Sequence, residues 1–283
     1  MNSKIKYFFG SLLVVVILVW VAIFAIAEQN NLRVYFFDVG QGDATLVSLG
    51  SNQILIDGGP SGQILDRLGR VMPFFDKKIE IVISTHPDAD HISGLVDVFK
   101  NYQVDEYLST GVISDTNVFQ ALSQAIEEKQ IPQVIAHVGQ KIQITPAINL
   151  ELLYPFTDLS GKKLSNTNSS SIVAKLNAGG ESILLTGDAE ESVERELMSA
   201  NLNLKANVLK VAHHGSKSST SENFVKIVDP KTAIIQVGAN NRYGHPTAET
   251  LARLVSANIL RTDLNGNIEL IYENNHFQIK TDR

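Results

Sequence analysis

Ser84-Thr85-His86-Pro87-Asp88-Ala89-Asp90-His91 follows directly on residues 80–84, a continuous β-branched run of the kind a buried strand requires. It packs two imidazoles and two carboxylates into the six residues from His86 to His91. Residues 86, 88 and 90 alternate in an extended turn, so their side chains converge. His91 opens a helix that continues through Leu95, Val96, Val98 and Phe99, and approaches from the other side. Four such ligands exceed what one tetrahedral ion takes once others join, which points to two metals.

Working outward, the remaining chemistry sits in similar places. Of the 7 histidines, five lie in three short segments: His86 and His91, His213 and His214, and His245. Each segment follows an expected strand. Residues 182–185 end in Thr186-Gly187-Asp188, residues 206–211 in His213-His214-Gly215-Ser216, and residues 232–237 lead to Tyr243-Gly244-His245-Pro246. Alone, Thr-Gly-Asp is as often a turn as a ligand. The convergence of all these segments at strand ends is what marks a metal site. Further strands are expected at residues 33–39, 44–49 and 53–57, with several short ones between 131 and 154. Helices are expected at 63–72, 118–129, 190–200 and 247–256, and residues 158–171 form a polar loop. Strands that each feed a loop and a helix predict an α/β fold, two mixed sheets packed face to face with helices outside. Asp43 and Asp57 end strands at the same edge. Asp57 reads as orienting the metal loop by hydrogen bonds, and Asp43 as either such a support or a ligand. His137 and His276 belong to no motif.

The chain has 283 residues, 44% hydrophobic and 19% charged, with mean hydropathy +0.03, enough for one large core. A net charge of −6 argues against nucleic-acid binding over the whole surface, though not against a local basic patch. Cysteine is absent, which excludes disulfides, thiolate ligands and a cysteine nucleophile. Lys4 and Lys6 precede an uncharged apolar run over residues 7–27, and Glu28-Gln29-Asn30-Asn31 turns polar. About 20 apolar residues cross a bilayer as a helix, and the basic flank places the N-terminus in the cytoplasm. Residues 1–31 are therefore read as a membrane anchor or a signal peptide, the latter because Ala25-Ile26-Ala27 has a cleavage-site form. Residues 32–283 are read as one folded domain, which either reading puts outside the cytoplasmic membrane.

These segments resemble the metallo-β-lactamase superfamily, whose hallmark is His-x-His-x-Asp-His after a strand and a downstream bridging Asp. Four stretches resemble the C-terminal domain of ComEC-type competence proteins more closely. They are Phe36-Phe37-Asp38-Val39-Gly40-Gln41-Gly42-Asp43-Ala44, Leu55-Ile56-Asp57-Gly58-Gly59, residues 84–95, and Leu209-Lys210-Val211-Ala212-His213-His214-Gly215-Ser216. The resemblance implies an αββα sandwich and a two-metal hydrolase. It makes His86 and Asp88 ligands of one ion, Asp90 and His91 of the other, with Asp188 bridging and His214 and His245 completing the shells. His213 is then an alternative ligand or a donor to the transition state, and Asp90, Asp188 and His213 carry the reaction. Asp88 stands where the superfamily usually has His, and the usual third His has no counterpart in Asn166-Thr167-Asn168-Ser169-Ser170-Ser171. More oxygen and less imidazole make manganese a competitor to zinc.

A two-metal centre suits phosphodiester, thioester and lactam hydrolysis alike. The resemblance to DNA-uptake proteins favours a phosphodiesterase or nuclease acting on DNA. Lys210, Lys217, Lys226 and Arg242 then contact phosphates, or else form a solvated rim, while Tyr243 stacks on a base and Asn168 and Ser170 touch substrate. The alternatives are a surface phosphodiesterase for small or cell-wall phosphoesters, a lactam or lactone hydrolase, and a non-catalytic surface binding module. With one candidate span, the chain is expected to be single-pass or secreted, acting alone or as the detached partner of a separately encoded channel.

Overall fold

Alternation decides the first strand: Leu32, Val34 and Phe36 point inward and Arg33 and Tyr35 are half-exposed along β1 (Leu32–Phe36). The computed structural model describes residues 5, 7, 9–17, 19, 20 and 31–283. In these, β1 joins an eight-stranded sheet ordered β15-β14-β1-β2-β3-β4-β5-β6. Its other members are β2 (Thr45–Leu49), β3 (Asn52–Ile56), β4 (Lys78–Ser84), β5 (Gln103–Ser109), β6 (Gln133–Ile135), β14 (Ile268–Glu273) and β15 (His276–Thr281). The second sheet has seven strands in the order β13-β12-β11-β10-β9-β8-β7. These are β7 (Lys141–Thr145), β8 (Ile148–Tyr154), β9 (Val173–Ala178), β10 (Glu181–Leu185), β11 (Val208–Lys210), β12 (Thr232–Ile235) and β13 (Asn258–Arg261).

Both sheets are mixed in the same way. One half is antiparallel, β15 to β3 and β7 to β10; the other half, β3 to β6 and β10 to β13, is parallel. Parallel neighbours need crossovers, and helices supply them. Sheet one carries α1 (Gln63–Val71), α2 (Ala89–Asn101) and α3 (Asn117–Lys129). Sheet two carries α4 (Glu191–Ser199), α5 (Glu222–Val228) and α6 (Ala248–Arg253), and the short α7 (Thr262–Asn265) follows β13. Three apolar clusters fill the layers. Phe36, Leu152, Ile183 and Leu270 lie between the sheets, Leu55, Leu68, Leu95 and Phe99 between sheet one and its helices, and Leu197, Leu209, Phe224 and Leu254 between sheet two and its helices. The expected αββα sandwich is present.

Two expectations change in detail. α2 begins at Ala89 with the backbone of Asp88 at its N-cap, so Asp90 and His91 both lie in the first turn rather than in an extended turn. The reason is that the amides of His91 and Ile92 both donate to the Asp88 carbonyl, at 3.0 Å each. Strand β5 carried no apolar alternation because Gln103 and Asp105 face solvent and Glu106 is half-exposed; its parallel ladder with β4 defines it. The expected N-terminal anchor falls largely outside the described residues, Lys4, Lys6 and Ala25-Ile26-Ala27 included. Residues 5, 7, 9–17, 19 and 20 are helical and exposed, and among the described residues no helix is long and apolar enough to cross a membrane.

The turn after β3 docks on α2 at a single point. Gly58 N donates to His91 O at 2.7 Å and Gly94 N to Gly59 O at 2.9 Å. A Cβ at Gly94 meets the backbone carbonyls of Gly58 and Ser61, closer than real contacts allow. Because backbone cannot swing aside as a flexible side chain does, Gly94→Ala is expected to lower the unfolding free energy by about 1–3 kcal/mol, the usual cost of overpacking. Urea unfolding measures this, and an unchanged midpoint would show that the turn and the helix are not in register-fixing contact.

Candidate metal centre

The centre is assembled at the carboxyl ends of β3, β4, β10 and β11, where open α/β sheets place their ligand sites. Asp57, just past β3, is buried and has left-handed backbone at φ 59°. Its carboxylate accepts from the Thr85 amide and the Thr85 hydroxyl, each at 2.8 Å, and from His91 Nδ1 at 2.9 Å. That last bond fixes the tautomer of His91: the proton sits on Nδ1 and the Nε2 lone pair points inward. His214 is set the same way. Its Nδ1 lies 2.9 Å from the Gln236 carbonyl, which can only accept, so Nε2 is the free nitrogen. For His86, Nδ1 is held by the hydroxyls of Thr85 at 3.0 Å and Ser171 at 3.3 Å.

Asp188 stands between these rings. Its Oδ2 is 3.4 Å from His91 Nε2, 3.4 Å from His214 Nε2 and 3.9 Å from His213 Nε2. Asp90 Oδ2 reaches His214 Nε2 at 3.2 Å and Asp88 Oδ2 lies 3.6 Å from His86 Nε2. Among the described residues, ligand atoms of His86, His91 and Asp188 converge within 4.8 Å, as do those of Asp90, His91 and His214. Asp43 joins further convergent groups with Asp57 and His91 and with Asp188 and His214. Whether this donor set suits metal is decided by what it lacks. His86 Nε2, His91 Nε2, Asp188 Oδ1 and Asp43 Oδ1 are buried without a hydrogen-bond partner. Buried polar atoms are almost always paired, so inward-facing orphans of this kind fit divalent cations held by nitrogen and oxygen.

Electrostatics says the same. Burial raises the carboxyl of Asp188, yet His214 and His91 beside it hold it well below the usual range. Burial lowers His91, yet Asp188 and Asp57 hold it well above an ordinary histidine, and His214 is pushed to about 10 against burial by Asp188 and Asp43. Without metal, protons carry the positive charge that these carboxylates require; ions that bind here displace them.

Lys210 is not a phosphate contact. It is buried at 3% exposure, pairs with Asp43, donates to the Gly187 carbonyl at 2.9 Å and stands 3.8 Å from Asp188 Oδ1. Burial lowers its ammonium, but Asp43 and Asp188 hold it above the usual lysine value. Lys226 forms an ion pair with Glu222 one helical turn away on α5. Lys217 is exposed, and Arg242 is exposed and lies over the Tyr243 ring with its carbon 5.0 Å from the centroid. Arg242 and Tyr243 share a 440 Å³ groove with Asp90, whose lining does not include Lys217. Asn168 Nδ2 is 3.4 Å from His213 Nδ1, while Ser170 is buried and donates to the Thr167 carbonyl at 2.6 Å, turned away from the ligands. Its neighbour Ser171 touches the centre instead, bonded to His86 and accepting from the Asp188 amide at 3.1 Å. Thr167, in the same loop, donates to Asp88 at 2.5 Å, a contact that no motif marks. His245 lies outside the convergent groups: it packs edge-on to His213 at 5.7 Å and stacks on Tyr243 at 5.8 Å. Burial and the nearby His213 and His214 push its pKa down to about 4.

Removing Lys210 leaves Asp43 buried beside Asp188 with no fixed cation. Lys210→Met is expected to destabilise the chain by roughly 3–5 kcal/mol, the cost of breaking a buried pair from one side. Chemical denaturation of the full chain checks this. A loss within about 0.5 kcal/mol, the range of an ordinary surface change, would mean that Asp43 finds other compensation.

Residues 37–238 match the metallo-beta-lactamase superfamily model. The chain is 35% identical over 263 residues to ComE operon protein 3 of Bacillus subtilis, covering 86% of this chain and 33% of that protein. It is 26% identical over 248 residues to competence protein ComA of Neisseria gonorrhoeae, covering 85% and 32%. The chain thus spans about a third of the length of the curated relatives it matches. A crystal structure of the metallo-beta-lactamase fold protein YhfI from Bacillus subtilis superposes with a TM-score of 0.56 at 13% identity, over 84% of this chain and 99% of that one, a likeness of fold alone. The histidines and aspartates that converge at the strand ends are thus set in a fold that binds divalent metals, and the chain belongs to the metallo-beta-lactamase superfamily of metal-dependent hydrolases, with ComEC-type competence proteins among its relatives.

Proposed function

We propose that the chain is a two-metal phosphodiesterase acting on DNA outside the cytoplasmic membrane. The observation that carries the metal chemistry is the Asp188 carboxylate set between His91 and His214, both with Nε2 turned inward by a fixed outer hydrogen bond. His86, Asp88 and Asp188 would hold one ion, and Asp90, His91 and His214 with Asp188 the other. Two divalent ions supply Lewis acidity to activate water and polarise a phosphoryl group at neutral pH. Asp88 in a ligand position favours manganese at least as much as zinc.

The chain's own residues do the rest. Asn168 lies across the His213 ring, its amide nitrogen 3.4 Å from Nδ1 and 3.5 Å from Nε2, and Nε2 faces Asp188. Burial holds His213 below the usual histidine value, which keeps it neutral at physiological pH. Protonated on Nε2, the ring would donate toward charge that develops on the phosphoryl oxygens. Arg242 beside Asp90 supplies the cation that an acidic chain needs where a phosphate backbone approaches, and Tyr243 offers a stacking face. The relationship to competence proteins is what selects DNA among phosphodiesters, and Lys4 and Lys6 before an apolar run support the location.

Metal analysis and cleavage of single-stranded DNA, a small phosphodiester and a chromogenic lactam test this together. Asp188→Ala is expected to abolish turnover and lower bound metal. Arg242→Ala is expected to raise the apparent KM for DNA and to flatten its salt dependence by about 0.7 in the log–log slope, one phosphate contact's worth. Lactam hydrolysis with no DNA cleavage under manganese or zinc would end this reading. For location, a C-terminal reporter that works only after export should be active; activity from a cytoplasm-only reporter would refute it.

A further inference from the structure

Two cavities flank the ligand cluster, and their chemistry is opposite. The groove beside Asp90 carries Arg242. The cavity beside His86 and Pro87 has a volume of 680 Å³, within the 300–1,000 Å³ of small-molecule sites, and among the described residues no lysine or arginine lines it. It runs between the end of β5 and helix α3. Ile92, Val112, Leu122, Ile126 and Phe119 give it apolar walls, and its one carboxylate is Glu127. Ser84, Ser109, Thr110 and Tyr107 add hydroxyl-bearing side chains to its lining. Burial pushes the Tyr107 phenol up to about 12, so it stays a neutral donor. A phosphate entering here meets no cation and one anion, whereas an uncharged planar ring with a hydrogen-bonding edge meets apolar faces and neutral donors and acceptors.

We propose that this cavity is a nucleobase subsite, taking the base next to the phosphodiester held at the ligand cluster while the charged backbone follows the Arg242 side. The assignment rests on the nucleic-acid reading above and deepens it. His86 is the shared wall: it lines the cavity and belongs to the ligand cluster, so the two adjoin. Stacking on a base by an aromatic or apolar side chain is tolerant of sequence, so the subsite fixes position rather than base identity.

The test uses thymidine and deoxyadenosine, which carry no phosphate and are not turned over, with the full metal-loaded chain. Saturation-transfer NMR and calorimetry read binding, and methyl shifts of Val112, Leu122 and Ile126 read its place. Ser123→Trp narrows the cavity from an exposed position of α3, far in sequence from every ligand. Both nucleosides are expected to bind the wild type and to shift those methyls. Ser123→Trp should weaken that binding and raise the KM for DNA at least tenfold, with bound metal unchanged. No nucleoside binding by the wild type, equal binding by the variant, or choline bound in the cavity in place of nucleosides would overturn the assignment. Nucleoside binding that Ser123→Trp blocks, in a chain that leaves DNA intact, would uphold the subsite and reject the nuclease reading. DNA cleavage unaffected by the variant would do the reverse.

Discussion

Everything at the functional edge depends on keeping a cluster of carboxylates out of water. Asp43, Asp57 and Asp188 are buried at 3% exposure or less, and Asp90 lies against them through His214. Isolated buried carboxylates are prohibitively costly, so each must face a cation or a fixed donor. Lys210 is the permanent cation, wedged between Asp43 and Asp188 and tied to the Gly187 carbonyl. Asp57 is neutralised by donors from Thr85 and His91. That leaves Asp188 and the inward Nε2 atoms of the imidazoles, and these are the groups whose charge only exchangeable ions or protons balance. The same requirement explains the strained backbone. Asp57, His213 and His214 all sit at positive φ, a region non-glycine residues avoid, and such strain persists where surrounding packing over-determines it.

The sandwich makes such a cluster affordable to the fold by geometry. Each sheet is antiparallel on one side and parallel on the other, and the ligand loops leave the parallel halves. Parallel strands end together at one edge and their crossover helices start there, so α2 aims the amide-rich first turn holding Asp90 and His91 at the carboxylates. The Gly187 turn shows how tight the meeting is. It has φ 50°, and a Cβ on it would lie 3.0 Å from Thr85 and 3.2 Å from Ser171, the two residues, one from each sheet, that hold His86. The centre therefore belongs to both sheets, and neither half could form it alone.

What the sequence revealed follows from which interactions are local. Residues 86–91 stand out because four potential ligands share six residues, and Asp188 and His214 because each follows a strand. Asp57 was legible as a support for the same reason. Lys210 was misread because sequence places it beside the ligands yet says nothing of which face of β11 it occupies; all of β11 is buried, so its charge turned into the cluster. Ser171 and Ser170 are neighbours in a polar loop, and only the 3-10 turn at Thr167–Ser170 decides which of them meets His86. Thr167 on Asp88 is a contact across 79 residues that no spacing predicts. β5 was invisible since its signal is a ladder to β4 and not an apolar pattern.

The acidic balance of the chain gives the two flanking cavities their meaning. At net charge −6, with an aspartate-rich centre, the surface as a whole repels a phosphate backbone. Attraction must come from local cations, and at this edge there are two kinds: Arg242 at the rim and whatever ions the inward nitrogens hold. Lys210 cannot contribute, because Asp43 already neutralises it. On the nuclease reading, binding of a polyanion and binding of metal are therefore one thermodynamic event: ions that replace the protons on His91 and His214 add charge where phosphate must lie. The uncharged cavity beside His86 then does what charge cannot, since a neutral ring enters it with no electrostatic penalty whether or not the ions are present. On that reading, electrostatics at one side and shape at the other divide the work of placing a charged chain with uncharged bases over a single reacting bond.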